Sequence, residues 1–261
     1  MHQHWLRFHP SVFSLTFENA EGRITSGTAF KAGGLLVTNN HVVQVPNARR
    51  VLLRSVRADG NTTNLNLDFG HLEFKNMLVD GDPEASWDYA IMRVPNAEFA
   101  AVPDLPISPA GTVDVGRSVA LFGYQFEQQN LSLHVGFVSS QYERAGVHYL
   151  QLDSSVNHGN SGGPLMDVES GEVIGIVTRK ATGLTQQFDQ LLLAFQQNIQ
   201  QLQAMANGPV QAVVAGLNPV AAALATQVQL QAIAREIGRS ANVGIGYAYH
   251  IRKVREGLGR A

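Results

Sequence analysis

The chain contains no cysteine. That absence excludes disulfides, thiolate zinc sites and a cysteine nucleophile, and leaves the packed core alone to hold the fold. It suits a reducing compartment. A surplus of charge of either sign is missing too. Nineteen basic residues face twenty-one acidic ones, for a formal net charge of −2, so nothing draws the whole molecule to nucleic acid or to an anionic membrane. Long apolar runs are absent: none reaches the ~18 residues of a membrane span. The opening stretch, "MHQHWLRFHPSVFSLTF", lacks the basic-then-apolar order of an export signal. Together these absences lead us to expect a cytoplasmic protein with no membrane span and no nucleic-acid partner.

What is present points to a packed β fold. Hydrophobic residues make up 44% and charged residues 15% of 261 positions, the balance of a chain that buries a core. The length suits one large domain or two small barrels sharing a core. Short β-type runs recur, among them "SVFSLTF", "GLLVTNN", "RVLLRSV", "DYAIMRV", "SVALFGY", "VHYLQLD", "EVIGIVT" and "VGIGYAYHI", separated by Gly, Asn, Asp and Pro. This is the pattern of a sandwich or barrel. The Pro-rich stretch from Pro95 to Gly116 reads as a linker between two β units.

One region breaks the pattern. From Ala181 to Ser240 the composition turns to Ala, Gln and Leu, good helix formers. Phe188, Leu192, Phe195, Ile199 and Leu202 fall on one helix face. Asn218 is placed to cap a second helix with Pro219 in its first turn, and Gly238 is expected to end it. A helical hairpin is thus inserted into a β domain. Its apolar stripe either packs on its own barrel or forms an oligomer or partner interface, through residues 184–238.

The chemistry centres on "GNSGGPLMD", Gly159 to Asp167. A serine hydroxyl is a weak nucleophile until a base takes its proton, and its attack creates an oxyanion that needs donors already in place. Glycine around Ser161 allows a tight loop whose N–H groups, at Gly159 and Ser161, point inward as an oxyanion hole. Gly162 and Gly163 leave room for substrate and close strand packing, and Pro164 stiffens the start of the next strand. "LLVTNNHVV" places His41 just past a strand, and "SWDYAIMRV" places Asp88 at the entry to another. Each alone is weak, since His41 could be a core residue and Asp88 a turn residue. Together they give His, Asp and Ser in the order used by the two-barrel proteases.

The segments "SGTAF…GGLLVTNNHVV", "DYAIMRV", "GNSGGPLMD…GEVIGIVT" and "VGIGYAYHI" resemble the trypsin-like serine protease superfamily, in particular its bacterial high-temperature-requirement (Deg-type) branch. The resemblance covers roughly residues 10–180 and 241–252. It implies an all-β fold of two six-stranded antiparallel barrels with the active site in the cleft between them. The N-terminal barrel would span 1–110 and the C-terminal barrel 111–180 with 241–252, leaving the helical insertion at 181–240 and a tail at 253–261. It further implies that His41 is general base and then acid, that Asp88 orients it, and that Ser161 is the acylating nucleophile. A C-terminal peptide-binding module, common in the Deg-type branch, is not expected, and Asn160 replaces the aspartate that pairs with a freed N-terminus in digestive relatives. The chemistry needs no metal or organic cofactor.

By the same resemblance Ser155 and Val156 should sit at the base of the primary pocket. Thr178, Arg179 and Lys180 should form the strand along which substrate pairs, and Gly244 to Gly246 the opposite wall. With no acid at Ser155, a small or medium apolar residue is expected before the cut bond. His158 is read as a loop residue. A serine endopeptidase acting on protein or peptide substrate is the leading reading. A catalytically silent protease fold serving as a binding or assembly module is the alternative, kept open by the helical insert. An esterase is disfavoured, because the strand-to-helix "GxSxG" elbow is missing.

Overall fold

The computed structural model describes residues 1–22, 24–109, 111–180, 186–208, 218–240 and 244–261. They divide into two compact units, Met1–Ala181 with Gly244–Ala261, and Thr182–Val243.

The first unit opens with α1 (His2–Phe8), β1 (Val12–Asn19), β2 (Ile24–Ala32), β3 (Leu35–Thr38) and the single-turn α2 (Asn40–Val43). It continues through β4 (Ala48–Val56), β5 (Thr63–Gly70), α3 (His71–Lys75), β6 (Leu78–Asp82), β7 (Tyr89–Met92) and α4 (Ala97–Ala101). Next come β8 (Ser118–Gly123), β9 (Ser132–Arg144), β10 (Val147–Leu152), β11 (Pro164–Asp167) and β12 (Val173–Lys180). The helices of the second unit, α5 (Gln186–Ala206) and α6 (Pro219–Ser240), are inserted in the chain here. Then β13 (Gly246–His250) and α7 (Arg252–Leu258) complete the first unit, all of α7 but its first residue lying in the stretch, 253–261, read from sequence as a tail.

Strands β10-β13-β12-β11-β8-β9 form a closed antiparallel barrel, the six-stranded barrel expected of the C-terminal half. The N-terminal half is an antiparallel sheet of seven strands rather than six, in the order β5-β4-β1-β2-β3-β7-β6. At one edge "LVDGD" folds back on β7 as β6, and at the other "TNLNLDFG" adds to β4 as β5.

Side-chain alternation explains why some strands read as unbroken apolar runs. On β7, Ala90 and Met92 face the core of the seven-stranded sheet, with Phe13, Leu15, Phe17 and Leu53, while Tyr89 and Ile91 face the opposite way. On β8, Val119 and Leu121 fill the barrel with Leu150, Leu165 and Val177, whereas Ala120 and Phe122 point outward to meet Tyr89, Ile91 and Phe30. These strands are covered on both faces because a third apolar layer joins the two halves. By contrast β5, "TNLNLDFG", has solvent on one side and alternates exposed and buried residues along its length.

In the second unit α5 and α6 pack against each other. Asn218 caps α6 as expected, its Oδ1 accepting from the N–H groups of Val220 (3.0 Å) and Ala221 (3.1 Å). The helix does not stop at Gly238 but runs on to Ser240, since an internal glycine costs only about 1 kcal/mol against alanine. Residues 181–185, 209–217 and 241–243 of the expected insertion lie outside the described residues. Among the described residues no helix is long and apolar enough to cross a membrane.

Candidate active site

His41 and Asp88 are brought together by the ends of two buried strands. All four residues of β3 are buried, so the chain can turn only at its end, where Asn39 (φ −74, ψ 149) leads into α2 and carries His41 to the surface. Asp88 stands immediately before β7 in the left-handed region, φ 45. Its carboxylate is 1% exposed and His41 is 30% exposed. Nδ1 of His41 lies 2.7 Å from Asp88 Oδ2, and the His41 backbone N–H donates to Oδ1 at 2.9 Å. A carboxylate only accepts, so Nδ1 of His41 is the donor in this contact.

Ser161 lies in the loop from β10 to β11. The loop is a chain of tight turns: Asn160 N–H donates to Asn157 O (3.1 Å) and Gly163 N–H to Asn160 O (3.0 Å). Two glycines are obligatory. Gly159 has φ 97, and a Cβ there would lie 2.1 Å from the Tyr124 carbonyl oxygen; Gly162 has φ 85 and would meet the Thr28 carbonyl oxygen equally closely. The loop is anchored to the N-terminal sheet by Thr28 of β2. Its N–H donates to Ser161 O (2.8 Å), its hydroxyl donates to Gly159 O (2.7 Å), and that hydroxyl accepts from Tyr124 N–H (3.0 Å). Among the described residues, the N–H groups of Gly159 and Ser161 have no protein acceptor.

The Ser161 hydroxyl donates to the Thr178 carbonyl at 2.6 Å. The Thr178 hydroxyl in turn points at Asp88 Oδ2 at 3.4 Å, long for such a bond. Ser161 is therefore tied to the His41–Asp88 couple through Thr178, and among the described residues no hydrogen bond joins it to His41 directly.

The remaining expected positions divide. Val156 is buried and Gly246 stands against it, so close that a Cβ at Gly246 would be 2.3 Å from a Val156 methyl. Ser155 is exposed. Gly244 has φ 75 with open space around it. Arg179 and Lys180 pair with Tyr247 and Gly246 of β13. On the other side, β12 pairs with β11 only as far as Ile176, and loop residues Gly162 and Gly163 take Val177. Thr178, expected along a substrate strand, is 4% exposed and turned to Asp88. His158 contributes its carbonyl to Phe126 N–H at 2.7 Å.

The supporting roles of three residues escape a reading of the sequence. Thr28 and Thr178 look like ordinary β-branched strand formers. Asn39 looks like a helix cap, yet its amide donates to the Asp88 carbonyl at 2.7 Å. Asn160 is fully buried against Gly123, and among the described residues neither end of its amide is hydrogen-bonded.

Residues 25–176 match the family model of the trypsin-like peptidase domain. The chain belongs to the trypsin-like peptidase family. It is 34% identical over 176 residues to serine protease HTRA2, mitochondrial, of Bos taurus, an overlap of 64% of this chain and 34% of that one. It is 33% identical over 159 residues to a probable periplasmic serine endoprotease DegP-like of Brucella suis biovar 1 (strain 1330), covering 59% and 27% of the two chains. The chain thus spans about a third of the length of the curated relatives it matches. In fold it is similar to the solved HtrA-type protease AlgW with tripeptide, with a TM-score of 0.60 at 18% identity over 98% of this chain and 62% of that one. The Deg-type resemblance read from the motifs is borne out by these relatives.

Proposed function

We propose that this trypsin-like chain is a serine endopeptidase acting through His41, Asp88 and Ser161. One observation carries the reading: a buried carboxylate grips Nδ1 of the His41 ring at 2.7 Å, and the Ser161 hydroxyl is bonded to Thr178, whose own hydroxyl points at that carboxylate. In the proposed reaction the Ser161 hydroxyl exchanges the Thr178 carbonyl for His41 Nε2, which takes its proton as Oγ bonds to the substrate carbonyl carbon. The displaced electron pair goes to the carbonyl oxygen, which receives the N–H groups of Gly159 and Ser161. Collapse breaks the C–N bond, and His41 protonates the departing amine. Water then repeats the sequence on the acyl-enzyme. Asp88 keeps the ring in the working tautomer and offsets the imidazolium charge. Each oxyanion donor of this kind is worth roughly 10²–10³ in kcat.

Protein or peptide substrate would add as a strand beside Thr178, Arg179 and Lys180, where β12 has β13 on one flank and, among the described residues, no strand on the other. Val156 and Gly246 favour a small or medium apolar side chain before the cut bond, with Ser155, Gly244 and Gly246 as its neighbours. The helical hairpin enters the chain between the strands that carry Thr178 and Gly246. We assign it a role in gating or partner contact. Replacing 184–238 by a short linker should change peptide kinetics more than barrel stability.

The test is labelling with an active-site-directed fluorophosphonate, beside peptide-library profiling. Labelling and cleavage should both vanish in Ser161→Ala. A second reading, a catalytically silent module, is favoured by the bond that holds the Ser161 hydroxyl on Thr178; absence of labelling under all conditions would favour it, or a resting state with a collapsed oxyanion loop.

A further inference from the structure

Asp88 adopts a backbone conformation that residues with a side chain seldom take, φ 45. Such a conformation persists only where its surroundings over-determine it. Here the carboxylate is held by His41 and Thr178, but the backbone itself has few partners. The Asp88 N–H donates to Pro83 O at a long 3.2 Å, and the Asp88 carbonyl accepts from the Asn39 side-chain amide at 2.7 Å. Asn39 is fully buried.

The type and place of Asn39 suggest a different duty. It occupies the N-cap of α2, where asparagine usually accepts a bond from a helix N–H. It makes no such bond. Its Nδ2 goes to Asp88 instead, and its Oδ1 has no hydrogen-bond partner among the described residues. The reverse orientation would set two acceptors against each other, so the donor end is fixed by the Asp88 carbonyl. Asn39 also lies two residues before His41, and its backbone nitrogen is packed against Gly162, next to Ser161. One buried side chain thus spans from the segment carrying the histidine to the segment carrying the aspartate.

We propose that Asn39 is a positioning residue for the His41–Asp88 couple: its amide holds the Asp88 backbone in the left-handed conformation that aims both carboxylate oxygens at His41. Without that bond the Asp88 peptide relaxes toward the ordinary region. Its carboxylate then no longer serves Nδ1 and the His41 N–H at once. The inference rests on His41 and Asp88 being the base and its orienting acid, but the couple itself is observable without catalysis.

The experiment compares the whole chain with Asn39→Leu, which keeps the volume and removes the donor, and with Asn39→Ala, which avoids overpacking. Thermal unfolding and the amide NMR spectrum establish folding. The strongly hydrogen-bonded Nδ1–H of His41, assigned by its loss in His41→Ala, is followed as a far-downfield proton resonance. In a folded Asn39 variant this resonance should move upfield or broaden away, kcat should fall on the order of tenfold to a hundredfold, and KM should stay within about twofold. A folded variant that keeps the resonance in place overturns the proposal, and so does unfolding of both variants, which would mark Asn39 as a packing residue. If the wild-type chain takes no fluorophosphonate, the endopeptidase reading fails while the resonance still decides the role of Asn39.

Discussion

Gly159→Ala tests the proposed oxyanion site most directly, because the structure fixes what the added methyl meets. It would lie 2.1 Å from the Tyr124 carbonyl oxygen, which belongs to backbone and cannot swing aside. Tyr124 is itself held, its N–H bonded to the Thr28 hydroxyl and its ring fully buried. Relief therefore requires the loop to retreat by about 1 Å, since close-packed interiors offer no void to receive the methyl. An oxyanion donor works only at roughly 2.7–3.1 Å from the developing charge, so a shift of that size removes it. One lost donor lowers kcat by roughly 10²–10³, about 3–4 kcal/mol of transition-state stabilisation. Holding alanine at φ 97 adds backbone strain on the order of 1–3 kcal/mol, a loss that a domain of typical stability survives. The measurements are the thermal transition, then kcat and KM on a cleaved peptide, then the rate of fluorophosphonate labelling. A folded Gly159→Ala chain with wild-type kcat would refute the assignment of this N–H to the oxyanion, and with it the argument that the glycine is there to aim it.

Asp88→Asn should leave the fold intact and lower kcat on the order of 10⁴-fold, because an amide has one accepting oxygen where the carboxylate has two, and its NH2 set against Nδ1 reverses the His41 tautomer; a loss below tenfold would mean that the 2.7 Å contact is not used. Thr28→Val keeps shape but strips the hydroxyl that joins Tyr124 N–H to Gly159 O. It should destabilise by about 1–3 kcal/mol and slow labelling of Ser161, read by urea unfolding and fluorophosphonate kinetics. Acid should weaken the fold through His250. Burial, then His148, Arg252 and Arg255, push this histidine down from 6.5 to about 4. An unfolded chain takes up the proton below about 6.5 and the folded chain only below about 4, so stability falls as pH drops through that window. The full loss is about 3 kcal/mol, and His250→Gln should flatten the pH dependence of the urea midpoint.

Why the chemistry was legible and its supports were not follows from what a local sequence can encode. Gly159 and Gly162 are glycine because backbone oxygens of Tyr124 and Thr28 stand where a Cβ would go, and that demand is written into the few residues around Ser161. The unbroken run of β7 likewise reports that both its faces are covered, and so it reads as a strand. The strand missed in the N-terminal sheet was β5, "TNLNLDFG", whose Thr, Asn and Asp residues on the solvent face mask the buried Leu65, Leu67 and Phe69. Thr28 presents the harder case. It would be threonine-like in any inward strand position, and periodicity says only that it is buried. Its hydroxyl bonds Gly159, 131 residues away, a contact that exists only once the barrel loop has docked against the sheet. The same holds for Thr178 with Asp88 and for Asn39 with the Asp88 carbonyl, separated by 90 and 49 residues. A motif therefore names the groups proposed to react, while the residues that support them appear only when distant segments meet. Variants at Thr28, Thr178 and Asn39 should accordingly alter the rate of the serine chemistry without altering which residues perform it.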